Sequence, residues 1–351
     1  MKNVLRNSLL STRKTRLFAS LCLALPCVFF AASHANESSD SFLERENVRS
    51  YITQLSAEND LDKNRVAGYF VKLRSQQSIL DAISTPAERT LTWREYRPIF
   101  VTERRIREGK AFLAEHNELL SRAEERFGVP ASIITAIIGV ETYYGRITGS
   151  YGVLEALATL AFDYPPRSEF FTREMGEFIV LSEKEGWDTL NVKGSYAGAM
   201  GWPQFISSSY REYAVDFDDD GKRDLFNSPA DIIGSVGNYL ARHGWIANAP
   251  IAELWTNGAS ITAGMRALVS KSLKPAVTAN QIKELGFASD SLASGTQSKQ
   301  AMSVMDLAGD RGEELWVGYR NFYAITRYNH SRLYAMAVHQ LAGAIDAKSQ
   351  I

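Results

Sequence analysis

Apolar residues recur at helical spacing along most of this chain, and the pattern predicts a mainly α protein with a smaller β-containing part. Between Thr102 and Phe127 the apolar side chains fall on one stripe, and Gly128 follows where a helix-ending glycine is expected. Charged residues cover the opposite face, which we expect to be solvated. Further helices are predicted over residues 154–162, 170–185, 229–243 and 331–347.

Residues 246–316 differ in character from the helical stretches around them. Polar segments with glycine and serine separate short mixed runs, which indicates a small α+β or β module with a loop over 291–299. The helical pattern then returns. The predicted organisation is a signal segment over 1–35, an N-terminal helical domain over 36–125, a core over 126–246, the small module over 247–320 and a C-terminal segment over 321–351 that rejoins the core.

One predicted helix is almost wholly apolar and ends on an acid, Glu141. Pro130 favours a helix start, and the run 133–140 is apolar on nearly every side, which is typical of a buried helix. Desolvation raises the pKa of a carboxylic acid, and an acid that is still protonated near neutral pH can protonate a leaving glycosidic oxygen. The alternative is a structural Glu141 held by Arg146 or by backbone donors.

Two glycine-containing stretches follow this helix. Residues 145–152 contain three glycines, and residues 191–205 contain three more among serine and alanine. Such small residues allow the backbone to approach a ligand closely. A tight crossing of two helices needs the same residues, so the composition of these stretches leaves both interpretations open.

An acidic loop begins at Asp216 and reads Asp-Phe-Asp-Asp-Asp-Gly, the frame of an EF-hand loop. In this frame Asp216, Asp218 and Asp220 face one cation, the glycine turns the chain, and the carbonyl of Lys222 adds another oxygen. Because neighbouring carboxylates repel one another without a counterion, we favour a structural calcium ion over a solvated acidic turn.

The distal end of this loop departs from the standard pattern. Asn227 stands where a bidentate Glu is expected, and Asp231, four residues later, can replace that ligand in a longer loop. Asp231 also suits the first turn of a helix that starts after Ser228. The two roles are compatible, because the end of an EF-hand loop coincides with a helix start.

The first thirty-five residues have the pattern of a cleaved export signal. Five basic residues and no acid precede an apolar stretch over 17–32, and Ser33-His34-Ala35 forms a small-x-small cleavage site. An uncleaved membrane anchor is the alternative, but sixteen apolar residues are short for a span. We therefore expect export to the periplasm.

The net charge and the cysteine positions argue against several classes of function. Cys22 and Cys27 both lie in the signal, so the mature chain has no thiol, and Leu21 and Pro26 before them argue against a lipid anchor. Without the five basic residues of the signal, 34 of the 39 basic residues remain against 40 acidic ones, a net charge of about −6. No basic cluster suggests a nucleic-acid partner.

Together these motifs resemble those of lytic murein transglycosylases of the B type. The resemblance covers essentially the whole mature chain, and its motifs occur in the same order. It is carried by Gly139-Val140-Glu141-Thr142-Tyr143-Tyr144-Gly145, by residues 193–205, by the acidic loop, by residues 231–235 and by residues 327–334.

The resemblance implies a lysozyme-like helical core with an accessory helical domain and a small β-containing domain. It implies cleavage of the bond between N-acetylmuramic acid and N-acetylglucosamine in peptidoglycan glycan strands, with 1,6-anhydromuramic acid ends and no cofactor for the chemistry. Glu141 is then the single acid and base, and calcium occupies the acidic loop. The implied substrate-binding residues are Arg167, Ser195, Tyr196, Met200, Gln204, Tyr328, Asn329 and Tyr334.

Several of these residues have a structural alternative. Ser195 and Gln204 also suit the internal bonding of a glycine loop. By the resemblance Tyr328 and Tyr334 flank Glu141 or stack on sugar, whereas the pattern alone places Tyr334 on the apolar stripe of the last helix. The family often has two arginines after Tyr-Pro, whereas this chain has Pro166 and then Arg167, which puts one ligand contact in doubt. Many relatives are lipoproteins, but this chain lacks the lipid cysteine.

Two other functions stay open at this stage. A lysozyme-type hydrolase would need a second acid, for which Asp163 and Glu155 are the nearest candidates along the chain. A calcium-stabilised protein that binds the wall without cleaving it is the other alternative, against which Glu141 argues. Cell-wall synthesis or remodelling proteins are the expected protein partners.

Overall fold

Helices make up most of the structure, and the predicted mainly α class with a small β-containing part is confirmed. The predicted signal segment lies outside the described residues, as does most of the predicted 291–299 loop. No helix in the described part of the chain has the length and apolar character that a bilayer span requires. The structure is a computed structural model, and it describes residues 41–85, 90–257, 260–270, 272–293 and 300–347.

Two single 3-10 turns, Phe42–Glu44 and Pro165–Arg167, accompany the α-helices of the described residues. The α-helices are α1 (Glu46–Asn59), α2 (Lys63–Phe70), α3 (Gln77–Ser84), α4 (Trp93–Phe100), α5 (Glu103–Glu115), α6 (Asn117–Phe127), α7 (Ala131–Thr142), α8 (Val153–Asp163), α9 (Ser168–Glu185), α10 (Ser207–Tyr213), α11 (Pro229–Arg242), α12 (Ala263–Ala267), α13 (Ala279–Glu284), α14 (Asp290–Ala293), α15 (Arg320–Tyr328) and α16 (Arg332–Asp346).

The single helix predicted between Thr102 and Phe127 is two helices, α5 and α6. The backbone of His116 leaves helical values, with φ −108° and ψ 24°, and its N–H bonds back to the Phe112 carbonyl. The stripe continues across this break, because both Phe112 and Leu120 are buried. Apolar spacing therefore predicted the buried face correctly but did not reveal the interruption.

Helix α7 occupies the centre of the main hydrophobic core. Ten of its twelve residues are buried, and α5, α6, α11 and α16 pack around it. Full burial of one isoleucine side chain contributes about 1.5–3 kcal/mol, so its four isoleucines alone anchor this helix firmly. Pro130 is the N-cap rather than the first helical residue. The helix is apolar all round because protein surrounds it.

Two small antiparallel sheets complete the fold. Strands β1 (Tyr151–Gly152) and β2 (Lys193–Gly194) pair next to the second glycine-rich stretch. The second sheet has the order β3-β5-β4, with β3 (Ala252–Asn257), β4 (Ser303–Gly309) and β5 (Gly312–Gly318).

The larger sheet separates two hydrophobic clusters. Along β4, Val304 belongs to a small cluster together with residues of α13, whereas Met305 and Leu307 belong to the main core. Alternate side chains of a strand point to opposite faces, which explains this division. The α+β character expected for residues 247–320 is thus present, while the exact domain boundaries stay a prediction.

Candidate active site

Glu141 lies in the last turn of α7 and is only partly buried. Its Oε1 accepts a hydrogen bond of 2.6 Å from the hydroxyl of Tyr334 on α16. Burial, reinforced by the nearby Glu141 charge, raises the pKa of Tyr334 well above its usual value, so this hydroxyl stays a donor. Arg146, the sequence-based alternative partner, forms an ion pair with Glu108.

The chain reverses directly after this helix through two left-handed residues. Tyr143 and Tyr144 have φ values of 54° and 60°, which cost a residue with a side chain roughly 1–2 kcal/mol each. The Tyr144 hydroxyl donates to the Arg105 carbonyl at 2.8 Å, and a Cβ on Gly139 would lie 2.7 Å from the Tyr144 ring. Tertiary contacts therefore hold the reversal that follows Glu141.

Stacked tyrosines form one side of the site. The rings of Tyr328 and Tyr334 are nearly parallel, with centroids 6.4 Å apart and an interplanar angle of 14°. The Tyr328 hydroxyl donates to the carbonyl of Pro203 at 2.6 Å. Burial raises the pKa of Tyr328 well above its usual value, and the charge of Glu141 adds to the shift.

Tyr239 of α11 belongs to the same group, although the sequence did not single it out. Its ring lies 4.7 Å from that of Tyr328, and its hydroxyl donates to the Arg327 carbonyl at 2.6 Å. Burial is the main cause that raises the pKa of Tyr239, and the charge of Glu141 is a smaller one. The residue falls on the apolar stripe of a helix, so the sequence carries no signal that separates it from the core.

A groove of about 1240 Å³ runs beside these tyrosines. Glu141 is not in its wall, but Tyr239 and Tyr328 are, and Tyr328 stacks on Tyr334, the donor to Glu141. The partly buried Glu141 is thus connected through two tyrosines to a cleft large enough for several sugar rings. The predicted substrate-binding residues that line the groove are Arg167, Tyr196, Gln204, Tyr328 and Asn329.

Ser195 bonds within the second glycine-rich stretch, and Gln204 also connects that stretch to the first. The Ser195 hydroxyl accepts from the N–H groups of Ala197 and Ala199, at 3.3 and 3.1 Å. The Gln204 amide donates to the carbonyls of Thr148 and Gly201, at 3.1 and 2.9 Å. The structural roles considered for these two residues are therefore present in the structure, and Gln204 also faces the groove.

The expectations for Met200 and Tyr334 need correction. Met200 is fully buried and belongs to the main core, so its side chain offers no surface to a ligand. Tyr334 is 2% exposed and donates to Glu141, so of its two expected roles the structure shows the one beside the acid and not the one in the cleft. The family resemblance placed both residues at the site, and packing decided which way their side chains point.

The acids considered as second catalytic groups are bonded elsewhere. Asp163 forms an ion pair with Arg45 at 2.7 Å, and Glu155 accepts from the Gln76 amide at 3.0 Å. Two acids do line the groove, and each is paired: Glu212 with Arg242 and Asp306 with Arg332.

Comparison with known proteins supports one interpretation of this site. The family model described as transglycosylase SLT domain matches residues 44–343. The chain belongs to this family. It is 36% identical over 315 residues to membrane-bound lytic murein transglycosylase B of Escherichia coli K12, covering 87% of this chain and 84% of that protein.

Two solved structures of transglycosylases are also similar. Soluble lytic transglycosylase SltB1 from Pseudomonas aeruginosa superposes with a TM-score of 0.79 at 44% identity, covering 85% of this chain and 98% of that one. The E. coli lytic transglycosylase Slt35 in complex with calcium gives 0.77 at 36% identity, covering 87% and 94%. The similarity therefore includes sequence as well as fold, with 44% and 36% identity over most of each chain.

The acidic loop of this SLT-domain protein brings three carboxylates together. Oxygens of Asp216, Asp218 and Asp231 lie within 4.8 Å of one another. Asp231 is 1% exposed, and burial, followed by the charges of Asp218 and Asp216, raises its pKa. Only hard oxygen donors converge here, which fits a calcium ion.

Other residues of this loop are not among the three converging carboxylates. The Asp220 carboxylate accepts from the Lys222 N–H at 2.9 Å and is not among the converging groups. Asn227, which stands where a bidentate Glu is expected, donates its side-chain amide to the Asp224 carboxylate at 3.0 Å. The predicted role of the Lys222 carbonyl stays a prediction. Asp231 supplies the distal carboxylate, in agreement with a longer loop.

Proposed function

We propose that this protein is a lytic transglycosylase that cleaves the β-1,4 bond between N-acetylmuramic acid and N-acetylglucosamine in peptidoglycan. The observation that carries the proposal is the Glu141 carboxylate, held by Tyr334 at the end of a buried helix and next to a groove. Membership of the transglycosylase SLT domain family supports the same substrate class. The products are glycan chains with 1,6-anhydromuramic acid ends.

Glu141 acts first as an acid in this proposal. The protonated carboxyl gives its proton to the bridging oxygen while the bond from that oxygen to C1 of the muramic sugar breaks. The acetamido oxygen of the sugar stabilises the cationic C1, which removes the need for a second carboxylate. The paired state of Glu212 and Asp306 in the groove supports a mechanism with a single acid.

Glu141 then acts as a base. The carboxylate takes the proton from the C6 hydroxyl of the same sugar, whose oxygen attacks C1 and closes the 1,6-anhydro ring. The acid is thereby restored, and no water is consumed. Tyr334 stays a hydrogen-bond donor throughout, because burial keeps its pKa high. The hydrogen bond from Tyr334 stabilises the ionised Glu141 carboxylate between the two proton transfers.

The groove provides the glycan contacts of this proposal. Tyr196, Tyr328 and Asn329 present ring faces and an amide, which suit the apolar and polar sides of a sugar. Arg167 is exposed and stacks on Phe170 with 4.2 Å between the guanidinium carbon and the ring centroid. This stacking fixes the arginine in the groove wall and keeps its charge at the surface.

Calcium is proposed as a structural ion of the acidic loop. Asp216, Asp218 and Asp231 would hold it, and their convergence supports that role. The ion would offset two of the three negative charges and fix the start of α11, the helix that carries Tyr239. No step of the reaction passes through this site. Export to the periplasm and contact with cell-wall synthesis or remodelling proteins complete the proposal.

Muropeptide analysis of a Glu141→Gln variant tests the proposed reaction. Glutamine cannot exchange a proton, so we expect release of anhydro-muropeptides from sacculi to fall at least about a hundredfold. The melting temperature should stay unchanged or rise slightly, because the variant removes a partly buried carboxylate. Mass spectrometry identifies the products.

Glu155→Gln is the matched control, because Glu155 bonds to Gln76 and should not affect turnover. Reducing muramic ends from the parent protein would favour the hydrolase instead. Binding to sacculi without product, in parent and variant alike, would favour a wall-binding protein.

A further inference from the structure

The side chain of Thr142, directly after Glu141, joins three segments of the chain. Its hydroxyl lies 2.9 Å from the Trp202 carbonyl and 3.3 Å from the Ile138 carbonyl, and it accepts from the Gly145 N–H at 3.1 Å. The residue is 1% exposed, so these bonds are shielded from water. The end of α7 is thereby tied to the second glycine-rich stretch.

Pro203, the residue after Trp202, accepts a hydrogen bond from a second hydroxyl group. Tyr328 donates to the Pro203 carbonyl at 2.6 Å and stacks on Tyr334, which donates to Glu141. Two consecutive carbonyls are therefore bonded to hydroxyl groups, one from Thr142 next to Glu141 and one from Tyr328, whose ring stacks on Tyr334. We call Trp202 and Pro203 the carbonyl pair.

Further contacts hold the carbonyl pair in place. The Trp202 N–H donates to the Leu225 carbonyl at 3.0 Å. A Cβ added at Gly145 would lie 2.3 Å from the Trp202 indole, so the turn after the helix packs directly on this ring. Movement of the helix end relative to the carbonyl pair would have to break these contacts.

We propose that Thr142 is a positioning residue for Glu141, acting through the carbonyl pair together with Tyr328. The inference rests on the proposed function. The left-handed Tyr143 and Tyr144 still donate their N–H groups to the Gly139 and Ile138 carbonyls, at 3.2 and 3.3 Å, so these bonds stay within the helix. The Thr142 hydroxyl instead ties the helix end to a distant segment, through the Trp202 carbonyl. Displacement of a catalytic group by about 1 Å can cost a hundredfold in rate.

Thr142→Val removes the hydroxyl and keeps the branched shape. We expect kcat on purified glycan strands to fall at least about tenfold with KM within about twofold, because Thr142 does not reach the groove. Thr142→Ser keeps the hydroxyl and should recover most of the lost kcat. A residue that only stabilises the fold would not produce this separation of kcat from KM.

Thr135→Val is the matched control. Thr135 lies on the same helix, is fully buried, and its hydroxyl has no hydrogen-bond partner, so kcat should stay at the parent value. Equal kcat in Thr142→Val and Thr135→Val, with Glu141→Gln inactive, would overturn the positioning role and leave the proposed function intact. An active Glu141→Gln would instead remove the proposed function.

A second variant tests the carbonyl pair if Thr142→Val melts below the assay temperature. Tyr328→Phe removes the hydroxyl that donates to Pro203 and keeps the ring. The proposal expects a lower kcat from this change as well. An unchanged kcat in Tyr328→Phe would overturn the role of the carbonyl pair.

Discussion

At the scale of single residues, the Tyr334 hydroxyl determines the surroundings of the Glu141 carboxylate. The two side chains meet although 193 residues separate them, and Tyr334 is 2% exposed. A hydrogen bond to a charged group is worth about 1.5–3 kcal/mol, more than one to a neutral partner. Loss of this donor therefore acts on the acid itself rather than on glycan binding.

Tyr334→Phe should lower kcat by about tenfold and leave KM nearly unchanged. That factor corresponds to a loss of about 1.4 kcal/mol in the stabilisation of the transition state. Steady-state kinetics on soluble glycan strands measures both constants. Tyr69→Phe is the matched control, since the Tyr69 hydroxyl also bonds to a carboxylate, that of Glu183, and neither residue lines the groove. A rise in KM with constant kcat would contradict the assigned role of Tyr334.

At the scale of elements, the acidic loop connects α10 to α11 and fixes the start of α11. Asp231 accepts from the N–H groups of Phe217 and Asp224, each at 2.8 Å, and lies in the first turn of α11. Three close carboxylates destabilise the loop when no cation neutralises them. Binding of a cation to the folded state alone adds stability by linkage.

Calcium should therefore raise the melting temperature of metal-stripped protein by about 5 °C at a hundredfold excess over its dissociation constant, and a chelator should reverse the rise. Asp218→Asn should remove most of the shift, because Asp218 is one of the converging groups. Asp219→Asn removes one negative charge from the same loop and should keep the calcium-induced rise in melting temperature. Asp219 is exposed with φ 61°, which asparagine tolerates. Equal shifts in the two variants would remove the proposed site.

At the scale of the whole molecule, His339 makes stability depend on pH. It lies on α16, with its ring 6.4 Å from that of Trp316 in β5, so it sits where the sheet meets the helical core. Burial lowers its pKa to about 4. The unfolded chain binds a proton near pH 6.5 and the folded chain does not, so stability falls as pH decreases from about 6.5 towards 4.

Between pH 7 and pH 5 this histidine should cost about 2 kcal/mol of unfolding free energy. His339→Leu should remove that part of the dependence, which urea unfolding at the two pH values measures. At pH 8 the side chain at position 339 is neutral in both proteins, so the difference between their unfolding free energies there reports packing alone. Parallel pH curves for the parent and the variant would contradict the prediction.

The sequence by itself determined the features that depend on neighbouring residues. Apolar spacing defined the buried helix that ends at Glu141, Gly128 marked a helix end, and the D-x-D-x-D-G frame located the acidic loop. These signals are local, because periodicity reports which face of an element is buried and turn geometry follows from a few residues.

Only the tertiary structure decided which distant groups meet. It brought Tyr334 to Glu141, gave Arg146 to Glu108, buried Met200 and left Asp220 outside the converging carboxylates. Each outcome depends on how helices and loops pack, and one sequence pattern allows several packings of its side chains. The sequence thus located the acid, and the fold selected the partners that surround it.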